Sequence, residues 1–183
     1  MNTPEKIKTK VVSYFNNLKK NKKRILFDIF IFLLIIIIIQ FYQTRNLIDN
    51  GKKAPDFELL DLNNNQYKLK NYLGKPVLLY FFAPWCTVCK ISSGRLNEYV
   101  NSIDNKEIIV LAIGLSYNNI TELKEFKKEH ELSVPVLAGF EQTGQDYKIP
   151  GFPTFYFIDK EGKIKSKTVG FTTETGIHLR SSW

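Results

Sequence analysis

Apolar residues follow three rhythms along this 183-residue chain. The first is a solid block: Ile25 to Tyr42 is apolar except for Asp28 and Gln40, and its centre, Ile29 to Ile39, holds no polar residue. As a helix, eighteen residues rise about 27 Å, close to the ~30 Å hydrocarbon core of a bilayer. The block therefore predicts a spanning helix, with a buried core helix as the plainer alternative. The second rhythm is a set of short continuous apolar runs, Val77–Phe82, Ile108–Ile113 and Thr154–Ile158. These predict strands buried on both faces. The turn Asp159-Lys-Glu-Gly162 after the last run leads into Lys163–Val169 as a paired strand. The third rhythm is helical. Leu96, Tyr99, Val100 and Ile103 recur at helical spacing in Thr87–Ile103, and Leu123 and Phe126 give the charged stretch Glu122–Glu131 one apolar side. Asp56–Leu59 and Tyr67–Leu69, with Asn63-Asn64-Asn65 between them, predict an N-terminal hairpin. Alternating strands and helices with buried strands predict an α/β fold, a three-layer α/β/α sandwich.

Charge changes this picture by its placement. The net charge is +8, but residues 1–24 carry eight basic residues against Glu5 alone. Residues 51–183 hold 17 basic and 15 acidic residues and are nearly neutral. A basic tail beside a neutral domain reads as membrane topology and excludes a DNA-binding face, so no nucleic-acid partner is expected. A positive flank before the apolar block places the N-terminus in the cytoplasm. The block lacks the small residues of a cleavage site, since Ile37-Ile-Ile-Gln-Phe-Tyr42 offers none, and so reads as an uncleaved signal anchor. Asp28 falls at its cytoplasmic end, and Phe41 and Tyr42 suit the outer interface. The expected organisation is a basic cytoplasmic tail (1–24), a transmembrane anchor (25–42), a short polar linker (43–53) and a domain (54–183) on the far side of a bacterial cytoplasmic membrane.

The candidate chemistry lies in Phe81-Phe-Ala-Pro-Trp85-Cys86-Thr87-Val88-Cys89-Lys90, which holds both cysteines of the chain. Residues i and i+3 of a helix share a face, so the two sulfurs can close a small disulfide ring. A helix start offers Cys86 unpaired N–H groups and the positive end of the dipole. Both favour the thiolate, which is the attacking species. Cys89, one turn inside, is expected to be less exposed and to resolve a mixed disulfide. Zinc would need two more ligands, and only His130 and His178 remain, neither at ligand spacing. Covalent haem would need His where Lys90 stands. An inert structural disulfide stays open as an alternative, although such bonds usually close longer loops. His130 reads as a solvated surface residue, and His178 has no visible partner. Pro153, in Ile149-Pro-Gly-Phe152-Pro153-Thr154, belongs at a strand start because proline cannot sit in mid-sheet.

Trp85-Cys86-Thr87-Val88-Cys89-Lys90 followed by Phe152-Pro153-Thr154 resembles the thioredoxin fold. Ala54-Pro55-Asp56-Phe57 and the helical insert near 120–131 are similar to the membrane-anchored TlpA/ResA-type thiol-disulfide oxidoreductases. The tail from Gly170 to Arg180 resembles the copper-sensitivity-suppressor D-like branch of that group. The resemblance implies Cys86 as nucleophile, Cys89 as resolving thiol in a redox-active Cys86–Cys89 disulfide, and Pro153 as a cis-proline facing it. It further implies that the Phe152 backbone pairs with an extended substrate, and that Trp85, Thr87, Val88 and Thr154 complete the rim. Tyr80 departs from the pattern, standing where thioredoxins carry a buried acid, so proton handling is expected to differ. The implied function is reduction of disulfides in exported proteins, apocytochrome c among them. A transmembrane thiol donor would supply the electrons, and no cofactor or metal is called for, since the chain carries no NAD fingerprint. The rivals are a disulfide-forming oxidase on the same fold, a thiol peroxidase and a copper-binding or chaperone module. The residues seven and three before Cys86, Leu79 and Ala83, do not fit the peroxidase pattern, and Met1 alone does not make a copper-binding cluster.

Overall fold

The structure, a computed structural model, describes residues 22–45, 47–103 and 108–181. The basic tail expected over residues 1–24 lies outside the described residues as far as residue 21. Contacts divide the chain into two units, residues 1–42 and 43–183.

Helix α1 runs Lys22–Thr44, all but its last two residues in the first unit. Every described large apolar side chain on it from Ile25 to Tyr42 is exposed, on all sides of the helix. Among the described residues no helix is long and apolar enough to cross a membrane. The stretch of α1 free of polar residues, Ile29–Ile39, rises about 16 Å.

The second unit is an α/β domain, as the alternating pattern predicts. In chain order its elements are β1 Glu58–Asp61, β2 Gln66–Lys68, a 3-10 turn Leu69–Tyr72, β3 Val77–Phe82, α2 Thr87–Ser102, β4 Ile109–Gly114, α3 Ile120–Glu129, β5 Val136–Ala138, α4 Glu141–Asp146, β6 Thr154–Ile158, β7 Ile164–Val169 and α5 Glu174–Ser181. They form one seven-stranded sheet of order β2-β1-β5-β4-β3-β6-β7. β3 lies inside it, parallel to β4 and antiparallel to β6. Its six residues are all buried because alternate side chains feed opposite cores. Leu78, Tyr80 and Phe82 join Leu96 and Tyr99 of α2, Leu123 and Phe126 of α3, and Ile177 of α5. Val77, Leu79 and Phe81 join Leu69, Tyr147 and the N-terminal segment on the other face. Both cores lie between Leu47 and Ile177, so residues 43–183 hold a complete core without α1.

Several boundaries differ from the sequence reading. The hairpin strands sit one to two residues away from the expected spans, because Asp61 organises the turn. Its carboxylate accepts the N–H groups of Asn63 and Asn65 and the Asn65 amide. α3 begins at Ile120 and ends at Glu129, since Asn119 caps it with bonds from the Thr121 and Glu122 N–H groups. β5, α4 and α5 carry no periodicity strong enough to predict them. The stretch 43–53, expected as a tether, packs from Leu47 onward. Leu47 is buried, Ile164 exchanges backbone bonds with Gly51 and Lys52, and the Tyr156 hydroxyl accepts the Ile48 N–H.

Candidate active site

The site forms where β3 ends and α2 begins. Cys86 is the N-cap of α2, with extended backbone, and its sulfur accepts the Cys89 N–H at 3.2 Å. A sulfur at this position receives one of the four donors that a helix start leaves unpaired and sits at the positive end of the dipole. Cys86 and Cys89 are joined by a disulfide with Cα atoms 5.2 Å apart. Cys86 is 7% exposed and Cys89 wholly buried, the asymmetry expected of an entering and a resolving sulfur. Among the described residues no group of His, Cys, Asp and Glu is placed to hold a metal ion.

The second half of the site arrives from β6. The Phe152–Pro153 peptide bond is cis, and Pro153 is buried at the head of the strand. The Phe152 carbonyl oxygen lies 3.6 Å from Cys86 Sγ. Thr154, fully buried, donates its hydroxyl to the Gly151 carbonyl at 2.8 Å and fixes the bend before the strand. Trp85 is 65% exposed. Its indole N–H donates to the Ser116 carbonyl at 2.9 Å, and its ring meets Phe152 edge-on at 5.9 Å. Thr87 and Val88 are exposed on the outer turn of α2. The structure thus gathers all eight predicted residues at one end of the sheet. Beside them an open groove of about 740 Å³ runs between Ser116, Phe140, Ile149 and Phe152.

Sequence reasoning missed Ser93 and Ser116. Ser116 has φ of 53°, a left-handed conformation uncommon for a residue with a side chain, and this aims its carbonyl at Trp85. Ser93 and Tyr80 meet behind the disulfide. The Tyr80 hydroxyl donates to the Cys89 carbonyl at 2.9 Å and the Ser93 hydroxyl donates to the same oxygen at 2.8 Å. Burial pushes the Tyr80 phenol far above its ordinary value. The position of the missing acid is therefore filled by a neutral donor that holds backbone, not by a base. Two histidine readings are corrected. His130 is not a solvated residue: its ring packs edge-on against Phe126 at 4.6 Å, and its Nε2 is buried. His178 has partners, sharing a 2.8 Å hydrogen bond with Ser102 and meeting the Tyr99 ring at 4.7 Å.

Residues 50–167 match the AhpC/TSA family. The thiol-disulfide oxidoreductase ResA of Bacillus cereus (strain ZK / E33L) is 30% identical over 161 residues, 84% of this chain and 92% of that protein. Among solved structures, a Chlorobium tepidum protein assigned as the thiol:disulfide interchange protein DsbE superposes with a TM-score of 0.64 at 30% identity. It covers 72% of this chain and 93% of its own. The exposed lipoprotein thioredoxin of Streptococcus pneumoniae strain TIGR4 gives 0.59 at 29% identity, covering 68% and 96%.

Proposed function

The chain belongs to the AhpC/TSA family and is an enzyme, a thioredoxin-like thiol-disulfide oxidoreductase, and from that premise we propose that it reduces disulfides of exported proteins outside the cytoplasmic membrane. The observation that carries the reading is the disposition of the two sulfurs. Cys86 caps a helix start within 3.6 Å of the Phe152 carbonyl, and Cys89 is sealed behind it. In the dithiol form the Cys86 thiolate attacks one sulfur of a substrate disulfide. An S–S bond forms to Cys86, the substrate bond breaks, and the first substrate thiolate leaves and takes up a proton. The Cys89 thiolate then attacks Cys86 Sγ and expels the second substrate thiolate. Two electrons pass to the substrate, and the enzyme is left as the Cys86–Cys89 disulfide. The Phe152 backbone aligns an extended substrate by strand addition, while Trp85, Thr87 and Val88 form the surface on which it lands. A transmembrane thiol donor restores the dithiol.

What supports this location is the apolar sequence of α1. In water, apolar side chains exposed all round a helix are unfavourable, and such a helix belongs in a protein interior or a bilayer. No described helix is long and apolar enough to cross a bilayer, so the reading is supported by the apolar run Ile25–Tyr42 and the basic flank before it, a pattern that keeps an N-terminus on the cytoplasmic side. The domain then faces the extracytoplasmic side, where apocytochrome c is one class of disulfide substrate.

The midpoint potential of the Cys86–Cys89 couple, measured on residues 43–183 in thiol redox buffers with alkylation trapping, tests the direction. A value near that of thioredoxin, about −270 mV, is expected. A value near −120 mV, that of the strongest oxidant of this fold, would replace the reductase with a disulfide-forming oxidase.

A further inference from the structure

Ser116 stands just past the end of β4, where the buried Leu115 donates its N–H to the Phe82 carbonyl at 2.8 Å and ties the ends of β3 and β4 together. Its φ is 53°, in the left-handed region that a residue with a side chain enters only when its surroundings hold it there. The serine side chain does not account for this conformation. The residue is exposed, and its hydroxyl makes no hydrogen bond among the described residues. What the turn delivers is the Ser116 carbonyl, which accepts the Trp85 indole N–H at 2.9 Å. Trp85 needs such a partner. It is 65% exposed, and an exposed side chain changes rotamer in picoseconds to nanoseconds unless something holds it. Its ring also meets Phe152 edge-on at 5.9 Å, and the Phe152 carbonyl stands 3.6 Å from Cys86 Sγ. Ser116, Trp85 and Phe152 thus form a continuous strut from the end of β4 to the peptide beside the nucleophile. Ser116 and Phe152 both line the open groove, so the strut also fixes the indole at the edge of that groove.

We propose that Ser116 is a positioning residue for substrate alignment: its left-handed turn pins Trp85, and the pinned ring holds the Phe152 peptide in register for the extended chain that carries the reacting disulfide. The carbonyl does this and the side chain does not, so the position demands a backbone conformation and not a serine. The inference rests on the thiol-disulfide exchange reading of the same site. It separates alignment of the substrate chain, which Ser116 controls, from sulfur chemistry, which it does not touch. Such a device acts only on substrates with a backbone to pair.

The test uses residues 43–183, which carry their whole core, with Trp183→Phe so that Trp85 is the single indole of the chain. Ser116→Val places a β-branched residue where φ is positive, a conformation such residues rarely adopt, and displaces the carbonyl. Ser116→Gly accepts the same φ at no steric cost and keeps the carbonyl in place. With insulin as the disulfide substrate, Ser116→Val should raise KM about fivefold with kcat unchanged, the worth of one lost hydrogen bond in alignment. Ser116→Gly should match the parent. Trp85→Phe, which keeps a ring and removes the N–H, should repeat the rise in KM. The rate with hydroxyethyl disulfide, which has no backbone to pair, should be the same in the parent and in both Ser116 variants. Trp85 fluorescence anisotropy should fall in Ser116→Val and hold in Ser116→Gly. An insulin KM unchanged in both Ser116→Val and Trp85→Phe, a Ser116→Gly as impaired as Ser116→Val, a KM that rises with no change in anisotropy, or an equal loss on both disulfides overturns the proposal. Failure of the reductase reading shows separately, in the parent. If the parent oxidises thiols and does not reduce disulfides, the same comparison is made with the oxidised enzyme on reduced insulin chains against mercaptoethanol, and the same split in KM is expected.

Discussion

Tyr80 stands six residues before Cys86 and gives its hydroxyl to the Cys89 carbonyl, not to a sulfur. It is stacked between the rings of Phe82 and Phe155, and burial keeps it protonated through the whole working range of a thiol enzyme. Tyr80→Phe should therefore cost about 1 kcal/mol in denaturant unfolding, the net worth of one hydrogen bond. The pH profile of reduction between pH 6 and 9 should be unaltered, and loss of an inflection in that range would make Tyr80 a proton carrier instead. The two sulfurs separate more sharply. Cys89→Ser should lower turnover to the uncatalysed background and accumulate a mixed disulfide on Cys86, visible as a mass adduct. Cys86→Ser should lower turnover as far with no adduct, and an adduct on Cys89 in that variant would reverse the assigned roles. Residues such as these were legible in the sequence because their signal is local: Trp85, Cys86 and Cys89 sit within five positions, after an apolar run. Ser93 and Ser116 were not, because each acts through a backbone atom or ring brought to it by the folded chain.

At the scale of elements, the same distinction governs which parts of the sheet the sequence reveals. β3 and β6 are continuous apolar runs and read as strands at once. β5 is three residues long, just after Pro135, and α4 buries only Thr143 of its six residues, so neither has a period to detect. The space they enter is nonetheless tightly defined. A methyl group on Gly139, which follows β5, would stand 2.6 Å from a Leu115 methyl and 2.9 Å from the Gly114 carbonyl. Overpacking of this kind costs typically 1–3 kcal/mol, and Gly139→Ala should lower the thermal midpoint accordingly. The β1–β2 turn is held by charge. Burial raises the pKa of Asp61, but the Asn65 side chain and the Asn65 and Asn63 N–H groups outweigh it and hold the carboxyl below its ordinary value. A carboxylate depressed in the folded state stabilises above its unfolded value, near 4, and loses that contribution as the pH falls through the folded one. Asp61→Asn should therefore lower stability at pH 7 and flatten its fall below about pH 4. An unchanged acid limb in urea titrations at pH 3 to 7 would remove Asp61 from that role.

For the molecule as a whole, the hydrophobic pattern predicts the α/β class and an apolar helix over the block 25–42 because those are properties of runs. The docking of residues 47–54 was hidden, since Leu47 and Ile48 form no period among the polar residues around them and the stretch reads as a tether. The structure fastens that segment with phenols. Tyr147 donates to the Pro55 carbonyl, Tyr156 donates to the Tyr147 carbonyl, and the Ile48 N–H donates to the Tyr156 oxygen. Burial pushes Tyr156 up to about 12 and Tyr147 well above its ordinary value, as it does Tyr80. Three phenols that stay protonated in the fold but ionise near pH 10 when unfolded link stability to alkali in one direction. Their contribution is complete below about pH 10 and is lost as the pH climbs towards the folded values. Residues 43–183 should therefore hold a level urea midpoint from pH 7 to 9.5 and lose it steeply above pH 10, with phenolate absorbance from these rings rising together with loss of far-ultraviolet ellipticity. Tyr156→Phe should soften that alkaline slope and loosen the segment near Ile48, read as faster amide exchange at that N–H. Phenolate absorbance saturating before the ellipticity changes would show the three rings to be accessible in the folded domain, and the Tyr147 and Tyr156 bonds to the segment near Ile48 and Pro55 would then be open.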